Sequence, residues 1–564
     1  MVDNETLVTI EVDPCDIAQL ADEDLDMAIA AERKTMEGMS KSDARAWIDK
    51  RTRILQRSMM ALIAIRNTLA AVDNLPDEIL VNVFWALALV LRPGSLGTLP
   101  YTRTSDSWLV VAEVCRRWRN IALWTPKLYS FIHARNPAIT RTFLRRSGSI
   151  LVDIYMDSNA HVHGNVIEIK PYFSRVRELQ IQGRYKSMQT LVSQLRRLPA
   201  PMLESLHLEQ TTNRRILTLH ESIIIPEIFD GPTPALRRLS LTHVSIPWTS
   251  PIYAGLTDLH MLLQHPYTSP SIDTFLQVLE NCPLLETLTL VQAGPSVYWD
   301  PHEYPPPVRV IDLARLRKVN LHLGRPIDTQ YVIAHLVIPS TAAITIRCEL
   351  NSGQDFSAVL PRDCEGLKGL PHVRCLRVYV EDVQSESIIL TGYTQSSAMV
   401  LSMSLFVGEG EGILEPRLFF AQLGRFFPLL DLEDLQVVNC EAHLSEKQYI
   451  EVLSDLPGLT RLTASEMSPA RQQELLRALT MPLGNNETVV CPSLKILRFS
   501  GLDGNQEVVD DVAKTCRSRA LKGSTVDAVH IADLDAEGVL YLLHDVVSTV
   551  NVDGSWVEQV SKQH

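Results

Sequence analysis

A short apolar pattern recurs along most of the chain and constrains its fold more than any other feature. In each copy an apolar residue is followed by two others, a second apolar residue, one other and a third apolar residue. The last two apolar positions are spaced by two, as in a strand with one buried face. Ten copies occur, mostly about 20 to 35 residues apart: Val176/Leu179/Ile181, Leu203/Leu206/Leu208, Leu236/Leu239/Leu241, Leu256/Leu259/Met261, Leu285/Leu288/Leu290, Leu316/Val319/Leu321, Val373/Leu376/Val378, Leu432/Leu435/Val437, Leu459/Leu462/Ala464 and Leu494/Leu497/Phe499.

Two intervals between copies are wide, 321–373 and 378–432, and they contain weaker copies at 344–348 and 400–405. A further weak copy at 526–531 extends the series. Between copies the apolar spacing changes to that of a helix, with Ser187, Ser271 and Ser445 as candidate N-caps. Repeated strand-plus-helix units bury their apolar faces only against neighbouring units. The sequence therefore predicts the α/β class, with parallel strands and helices arranged as an irregular solenoid over 136–564.

This alternation resembles leucine-rich repeats, and the Cys-Pro-x-Leu starts at Cys282 and Cys491 resemble the cysteine-containing class of that family. The resemblance implies a parallel sheet. The Asn or Cys that follows the strand in the family is found at Cys440 but is replaced elsewhere, for example by Ala293 and Thr211. We therefore expect a degenerate solenoid with insertions at 292–307 and 482–490. An α/β domain of non-repeat topology is the alternative.

A second informative region precedes the repeats. Pro76 suits the first turn of a helix, and the acidic residues after it favour the positive end of the helix dipole. A helix beginning there places Ile79, Leu80, Val83, Phe84 and Leu87 at helical spacing. A second predicted helix, 107–122, carries Val111, Val114, Cys115, Trp118 and Ile121 on one side. Such a small unit lies near the size limit for an independent core, so its apolar surplus predicts a partner or a neighbouring domain that covers it.

At these residues the chain resembles the F-box family. Residues 75–80 read Leu-Pro-Asp-Glu-Ile-Leu, and residues 114–119 read Val-Cys-Arg-Arg-Trp-Arg, in the family's order. Residues 121–130 resemble the fungal-type version, with Tyr129 where that version prefers Trp. The Pro-, Gly-, Ser- and Thr-rich stretch 91–107 separates the halves by more than the compact family pattern requires. The alternative is that these helices are core of a larger helical domain.

The F-box resemblance implies the substrate-recognition subunit of a cullin-RING ubiquitin ligase. Residues 73–135 would form an F-box-like domain that binds the Skp-type adaptor, while the repeats hold an unidentified protein target. An alternative is a non-catalytic binding scaffold in which the F-box-like helices only cap the solenoid. Carried over by matching position, the residues implied to contact the adaptor or to support that contact are Leu75, Pro76, Ile79, Leu80, Phe84, Val114, Cys115 and Trp118.

The segment before this domain is predicted to contain an acidic disordered stretch, 1–21, and an amphipathic helix, 22–72. Ile48, Leu55, Leu62 and Leu69 recur every seven residues, which is coiled-coil spacing. Arg51 and Ser58, however, occupy companion positions and narrow the apolar stripe. We expect this helix to pack on the F-box-like helices or the first repeats; dimerisation is the alternative.

Composition argues against several classes of function. A net charge of −13 argues against nucleic acid or an anionic membrane as the main partner, although basic residues such as Arg116, Arg117 and Arg119 form a local surface cluster. The acidic start is unlike a signal peptide, and apolar runs are too short to span a bilayer. We expect a soluble protein of the cytoplasm and/or nucleus, with its nine scattered cysteines reduced.

No enzyme motif or cofactor site is predicted. The glycines of 408–412 alternate with glutamates, which would repel a phosphate. His161 and His163 lack an indicated third metal ligand, and neither Gly-x-Ser-x-Gly nor His-Glu-x-x-His is present. We therefore expect no catalytic residues, no bound metal and no cofactor.

Overall fold

The computed structural model divides the chain into two compact units, Met1–Leu128 and Tyr129–His564. The first unit therefore ends at residue 128, whereas the sequence placed the end of the F-box-like domain at 135. The residues that the structure describes are 26–90, 107–157, 162–211, 222–297, 307–351, 353–380, 387–407, 420, 423–424, 426–427, 429–439, 445–482, 489–500, 506–532, 543, 546–552 and 555–558.

Several predictions concern residues outside this described set. They are the acidic stretch 1–21, most of the loop 91–107, the glycine and glutamate run 408–412, and parts of the insertions 292–307 and 482–490. His161 and Cys440 also lie outside it.

The first unit is helical. Its described helices are α1 (26–35), α2 (Lys41–Thr68), α3 (Asp77–Val90), α4 (Val111–Val114) and α5 (Arg116–Trp124). The helix predicted over 22–72 is interrupted, because Gly38 adopts a positive φ of 85° and Ser40 then caps α2 by accepting a hydrogen bond from the Asp43 N–H at 3.2 Å. Helix α3 begins directly after Pro76, as predicted.

The seven-residue row on α2 is exposed. Ile48, Leu55, Leu62 and Leu69 all face solvent, so the expected packing of this row on other helices is not found in the described part of the chain. An ion pair between Arg51 and Glu32 at 2.6 Å connects α2 with α1. Dimerisation through α2 stays a prediction.

The second unit combines helices with a large sheet. Its described helices are α6 (Pro137–Arg146), α7 (Val162–Ile169), α8 (Tyr185–Leu195), α9 (Ile272–Glu280), α10 (Pro326–Ala334), α11 (Glu446–Ser454), α12 (Pro469–Ala478) and α13 (Gln506–Leu521). The predicted caps Ser271 and Ser445 precede α9 and α11, and Ser445 forms a capping box with Gln448. The cap predicted at Ser187 is wrong, because α8 already begins at Tyr185.

The described strands are β1 (Phe131–His133), β2 (Val152–Asp157), β3 (Val176–Gly183), β4 (Ser205–Gln210), β5 (Ile223–Ile224), β6 (Arg238–Thr242), β7 (Val244–Ser245), β8 (Asp258–Leu262), β9 (Thr287–Val291), β10 (Ile311–Asp312), β11 (Lys318–His322), β12 (Leu336–Val337), β13 (Ala343–Leu350), β14 (Cys375–Val380), β15 (Ser387–Tyr393), β16 (Met399–Val407), β17 (Asp434–Val438), β18 (Arg461–Ser465), β19 (Ile496–Ser500), β20 (Ala528–Ile531), β21 (Thr549–Val552) and β22 (Ser555–Glu558). Two short parallel pairs, β5 with β7 and β10 with β12, lie outside the main sheet.

The main sheet has 18 described strands. Its pairings run β1-β2-β3-β4-β6-β8-β9-β11-β13-β16-β15-β14-β17-β18-β19-β20-β21-β22. Every pairing is parallel except those of β15 with its two neighbours and of β21 with β22. All ten apolar copies and the three weaker ones contribute to strands of this sheet, so the predicted α/β class with parallel strands and helices is confirmed.

The core of the second unit consists of apolar rows that cross the strands in register. Leu206, Leu239, Leu259 and Leu288 are direct neighbours on successive strands, and each is at most 1% exposed. A second row two residues later contains Leu208, Leu241, Met261 and Leu290. Burying a side chain of this size stabilises the fold by about 1.5 to 3 kcal/mol, and these rows repeat that gain on strand after strand.

The strand order departs from chain order at one place. Strand β13 pairs with β16 and β14 pairs with β17, so β14, β15 and β16 enter the sheet in reverse. The sequence predicted β14 and β16 but missed the antiparallel β15. Its residues alternate between the two faces without the spacing of the repeats, which is why the pattern did not reveal it.

The repeats are also held by a backbone ladder at the strand ends. The residue after the strand has a positive φ at His243, Leu263, Gln292, Asn439 and Glu466. Each of these N–H groups donates to a carbonyl at the end of the next strand in the sheet, with N···O distances of 2.6 to 3.2 Å. Main-chain hydrogen bonds thus connect the strand ends, and at Asn439 the side chain adds to them by donating to the Val380 carbonyl at 2.8 Å.

No helix in the described part of the chain is long and apolar enough to cross a membrane.

A buried arginine connects three consecutive parts of the second unit. The Arg519 side chain is fully buried and donates to the carbonyls of Leu479, Val490 and Cys491 at 2.8, 2.7 and 2.7 Å. Burial lowers the pKa of Arg519. This side chain therefore joins the last turn of α13 to the end of α12 and to the segment before β19.

We predict that Arg519→Met destabilises the protein by about 3 kcal/mol, because it keeps most of the packing but leaves three buried carbonyls without donors. The urea midpoint of the full chain, followed by far-UV circular dichroism, measures this. Lys514→Met on the exposed side of the same helix removes only a surface ion pair with Asp511 and should change the midpoint little. Equal midpoints for the two variants would contradict the role assigned to Arg519.

Candidate partner-docking surface

Helix α3 is apolar on both sides, and only one side is buried. Leu80, Phe84 and Ala88 are spaced by four residues and lie in the core. On the adjoining side Ile79, Val83 and Val90 are 45, 51 and 50% exposed. A helix that is apolar all round is ordinarily buried, so this second side is a candidate site for another polypeptide. We call Pro76, Ile79, Val83 and Val90 the exposed α3 stripe.

The buried side of α3 packs on α5. The rings of Phe84 and Trp118 lie 5.0 Å apart between centroids and are inclined by 54°. Ile121 and Ala122, one turn further along α5, are also buried. This aromatic contact, together with the area it buries, holds the two motif-bearing helices together.

Cys115 separates the second half of the motif into two short helices. The sequence predicted one helix over 107–122, and that prediction is wrong because Cys115 is extended, with φ −155° and ψ 172°. Its Sγ accepts a hydrogen bond from the Trp118 N–H at 3.4 Å and so caps α5. Cys115 has a structural role in orienting Trp118.

Arg117 connects the two halves of the motif. It donates to the Leu75 carbonyl at 2.6 Å and to Asp77 Oδ1 at 3.1 Å from Nε, and it also bonds the carbonyl and carboxylate of Asp73. The Asp77 carboxylate, by accepting these bonds, is the main cause of a raised pKa at Arg117. Charge-assisted hydrogen bonds of this kind fix the position at which α3 begins.

The sequence assigned Arg117 to a surface cluster and missed this contact. A signal was nevertheless present, because Asp77 and Arg117 lie in the two matched halves of the motif and carry opposite charges. Arg119, from the same cluster, donates to the Ala112 carbonyl at 2.8 Å and connects α5 with α4.

The eight residues carried over from the F-box resemblance fall into three groups by exposure. Pro76, Ile79 and Val114 are exposed, and Leu80 and Phe84 are buried. Leu75, Cys115 and Trp118 are intermediate. Only the exposed group is fully available to a partner, while the buried group supports the helices that present it.

The structure adds exposed apolar residues that the sequence did not single out as site residues. Trp124 is 85% exposed at the end of α5, and Val110 is 55% exposed just before α4. The Thr125 hydroxyl donates to the Ile121 carbonyl at 2.6 Å and ends α5 there. A tryptophan this exposed is uncommon, and tryptophan is enriched at protein interfaces.

The remaining sequence candidates provide no site chemistry in the described region. No group of three or more His, Cys, Asp or Glu residues there could hold a metal. The His163 side chain is exposed, and its Nδ1 lies 2.5 Å from Nε2 of Gln194. Burial raises the pKa of the Cys348, Cys491 and Cys516 thiols to about 12, so these thiols stay protonated at neutral pH.

No family model and no curated protein matches the chain. Among solved structures, the chain is similar to one described as the crystal structure of the Rad7 and Elc1 complex in yeast. The alignment covers 89% of this chain and 96% of that one, at 10% identity and a TM-score of 0.19. A likeness at that score supports no conclusion about fold or function.

We predict that Arg117→Gln accelerates amide hydrogen exchange at residues 77–80, because the start of α3 loses its charged donors. Exchange followed by mass spectrometry on the full chain measures this. Arg116→Gln, an exposed neighbour on the same helix turn, should leave those amides as slow as in the unchanged protein. Identical protection in the Arg117 variant would show that the hydrogen bonds of Arg117 do not stabilise the start of α3.

Proposed function

We propose that the first unit is an F-box-like module that binds a Skp-type adaptor, and that the chain is the substrate-recognition subunit of a cullin-RING ubiquitin ligase. The observation that supports this most is the exposed α3 stripe, which lies on the helix that opens with the Leu-Pro-Asp-Glu-Ile-Leu segment. The motif and the unpartnered surface therefore coincide on one helix.

The energetics favour an occupant for this stripe. Full burial of a valine or isoleucine side chain is worth about 1.5 to 3 kcal/mol, and Ile79, Val83 and Val90 are each about half exposed. Each side chain therefore has on the order of 1 kcal/mol to gain from a partner. Trp124, which is 85% exposed, is a further candidate contact, since tryptophan is enriched among the residues that contribute most binding energy at interfaces.

In this proposal the second unit holds a protein target near the ligase, in the cytoplasm or the nucleus. The chain itself breaks and forms no bonds and needs no cofactor. It increases the rate of ubiquitin transfer to the target through proximity, because a bound target presents its lysines at a high local concentration.

Exposure decides which substitutions test the proposal. Leu80 and Phe84 are buried, so a polar residue at either position would unfold the module and leave the adaptor contact untested. Ile79 and Val83 lie one turn apart on the exposed side and can accept aspartate without burying a charge.

We predict that Ile79→Asp with Val83→Asp abolishes co-purification of the full chain with a Skp-type adaptor, because two charges would have to be desolvated in the contact. Leu55→Asp with Leu62→Asp, at aliphatic positions on α2 that are at least as exposed, is the matched control and should retain the adaptor. Thermal melting of both variants checks that they fold.

Undiminished adaptor capture by the folded Ile79/Val83 variant would reject the proposed contact surface. Failure of the unchanged chain to bind the adaptor at all would reject the ligase function and leave the scaffold alternative.

A further inference from the structure

The exposed face of the main sheet carries an asymmetric distribution of charge. Side chains alternate between the two faces of a strand, so the residues between the buried apolar rows project from the opposite face. On β14, β17, β18, β19 and β20 these residues are Arg377, Gln436, Thr463, Arg498 and His530, which are register neighbours in that order. All are polar and none is fully buried.

A third arginine belongs to the same area. Arg461 precedes Thr463 by two residues on β18 and therefore projects from the same face, one position along the strand. Burial raises the pKa of Cys375 to about 11, and the positive charges of Arg377 and Arg461 act in the opposite direction. Both guanidinium groups therefore lie near that thiol. We call Arg377, Arg461 and Arg498 the arginine patch.

The charges of the patch are only partly neutralised. Arg461 lies 3.2 Å from the buried carboxylate of Asp434. Arg377 and Arg498 have no carboxylate within 4.0 Å among the described residues, and the buried Nε of Arg498 has no hydrogen-bond partner there. Among the described residues, the Asp434 carboxylate is therefore the single ion-pair partner for three guanidinium groups. The protein as a whole carries a net charge of −13.

The other end of the same face differs. There Arg238 faces Glu178 at 4.0 Å, and His207 faces Glu209 at 3.6 Å. The hydrogen bond from His207 is the main cause of a lowered pKa at Glu209. Positive and negative side chains are paired at that end, in contrast to the arginine patch.

We propose that the arginine patch binds an acidic, extended segment of a protein partner, which under the proposed function would be the ligase target. Guanidinium groups bind carboxylates through paired, charge-assisted hydrogen bonds, and neither Arg377 nor Arg498 has a carboxylate partner among the described residues.

The spacing favours several carboxylates over one phosphate group. Arg377 and Arg498 are three strands apart, or roughly 14 Å at the usual distance between neighbouring strands. An extended peptide advances about 3.3 Å per residue, so acidic residues about four positions apart would match both arginines. A single phosphate would pair with one guanidinium and leave the other unsatisfied.

The test is fluorescence anisotropy of the full chain with a labelled ten-residue peptide that carries glutamate at every second position. A neutral peptide with glutamine at those positions should bind at least about tenfold more weakly. Arg377→Gln with Arg498→Gln should lower the affinity for the acidic peptide by at least about tenfold. Raising the salt concentration should also lower the affinity of the unchanged chain for this peptide. Arg238→Gln, on the same face but outside the patch, should change the affinity for the acidic peptide by less than about twofold.

Three results would overturn the proposal. They are equal binding of the acidic and neutral peptides, unchanged binding by the Arg377/Arg498 variant, and tighter binding of a neutral peptide bearing one phosphoserine than of the acidic peptide. Adaptor capture separates this proposal from the proposed function. The Arg377/Arg498 variant should keep the adaptor, and the Ile79/Val83 variant should keep the acidic peptide.

Discussion

The alignment of apolar residues across neighbouring parallel strands is the constraint on which the second unit depends. Leu206, Leu239 and Leu259 meet side by side because their strands share one register, and a shift by one residue would turn the whole row to the solvent face. The same register turns every intervening residue to the opposite face. The polar face and its arginine patch are therefore consequences of the way the core is packed.

The first unit uses its apolar residues differently. Helix α3 buries Leu80 and Phe84 but leaves Ile79 and Val83 exposed, so it carries more apolar surface than its own unit covers. Arg117 determines where α3 begins, and Cys115 orients Trp118 beneath it. These two contacts position the exposed side of α3.

The sequence predicted the features that arise from periodicity and missed those that arise from individual contacts. All ten apolar copies lie on the sheet because each has the same spacing and the same burial. Strand β15 was missed because it pairs antiparallel within a reversed insertion, and no local spacing records such a pairing. The hydrogen bonds of Arg117 join residues about 40 positions apart, and the break at Cys115 depends on a side-chain cap to the Trp118 N–H. An apolar pattern records neither kind of polar contact. The α3 residues were predicted as one apolar face, whereas the structure divides them between core and surface.

We propose that the exposed side of α3 binds a Skp-type adaptor. Hydrogen exchange of the full chain, measured with and without a purified Skp-type adaptor, tests it most directly. We expect the adaptor to slow exchange in 76–90 and 110–124 while the strands of the main sheet are unchanged. Protection confined to the sheet, or no protection anywhere, would reject α3 as the adaptor-binding surface.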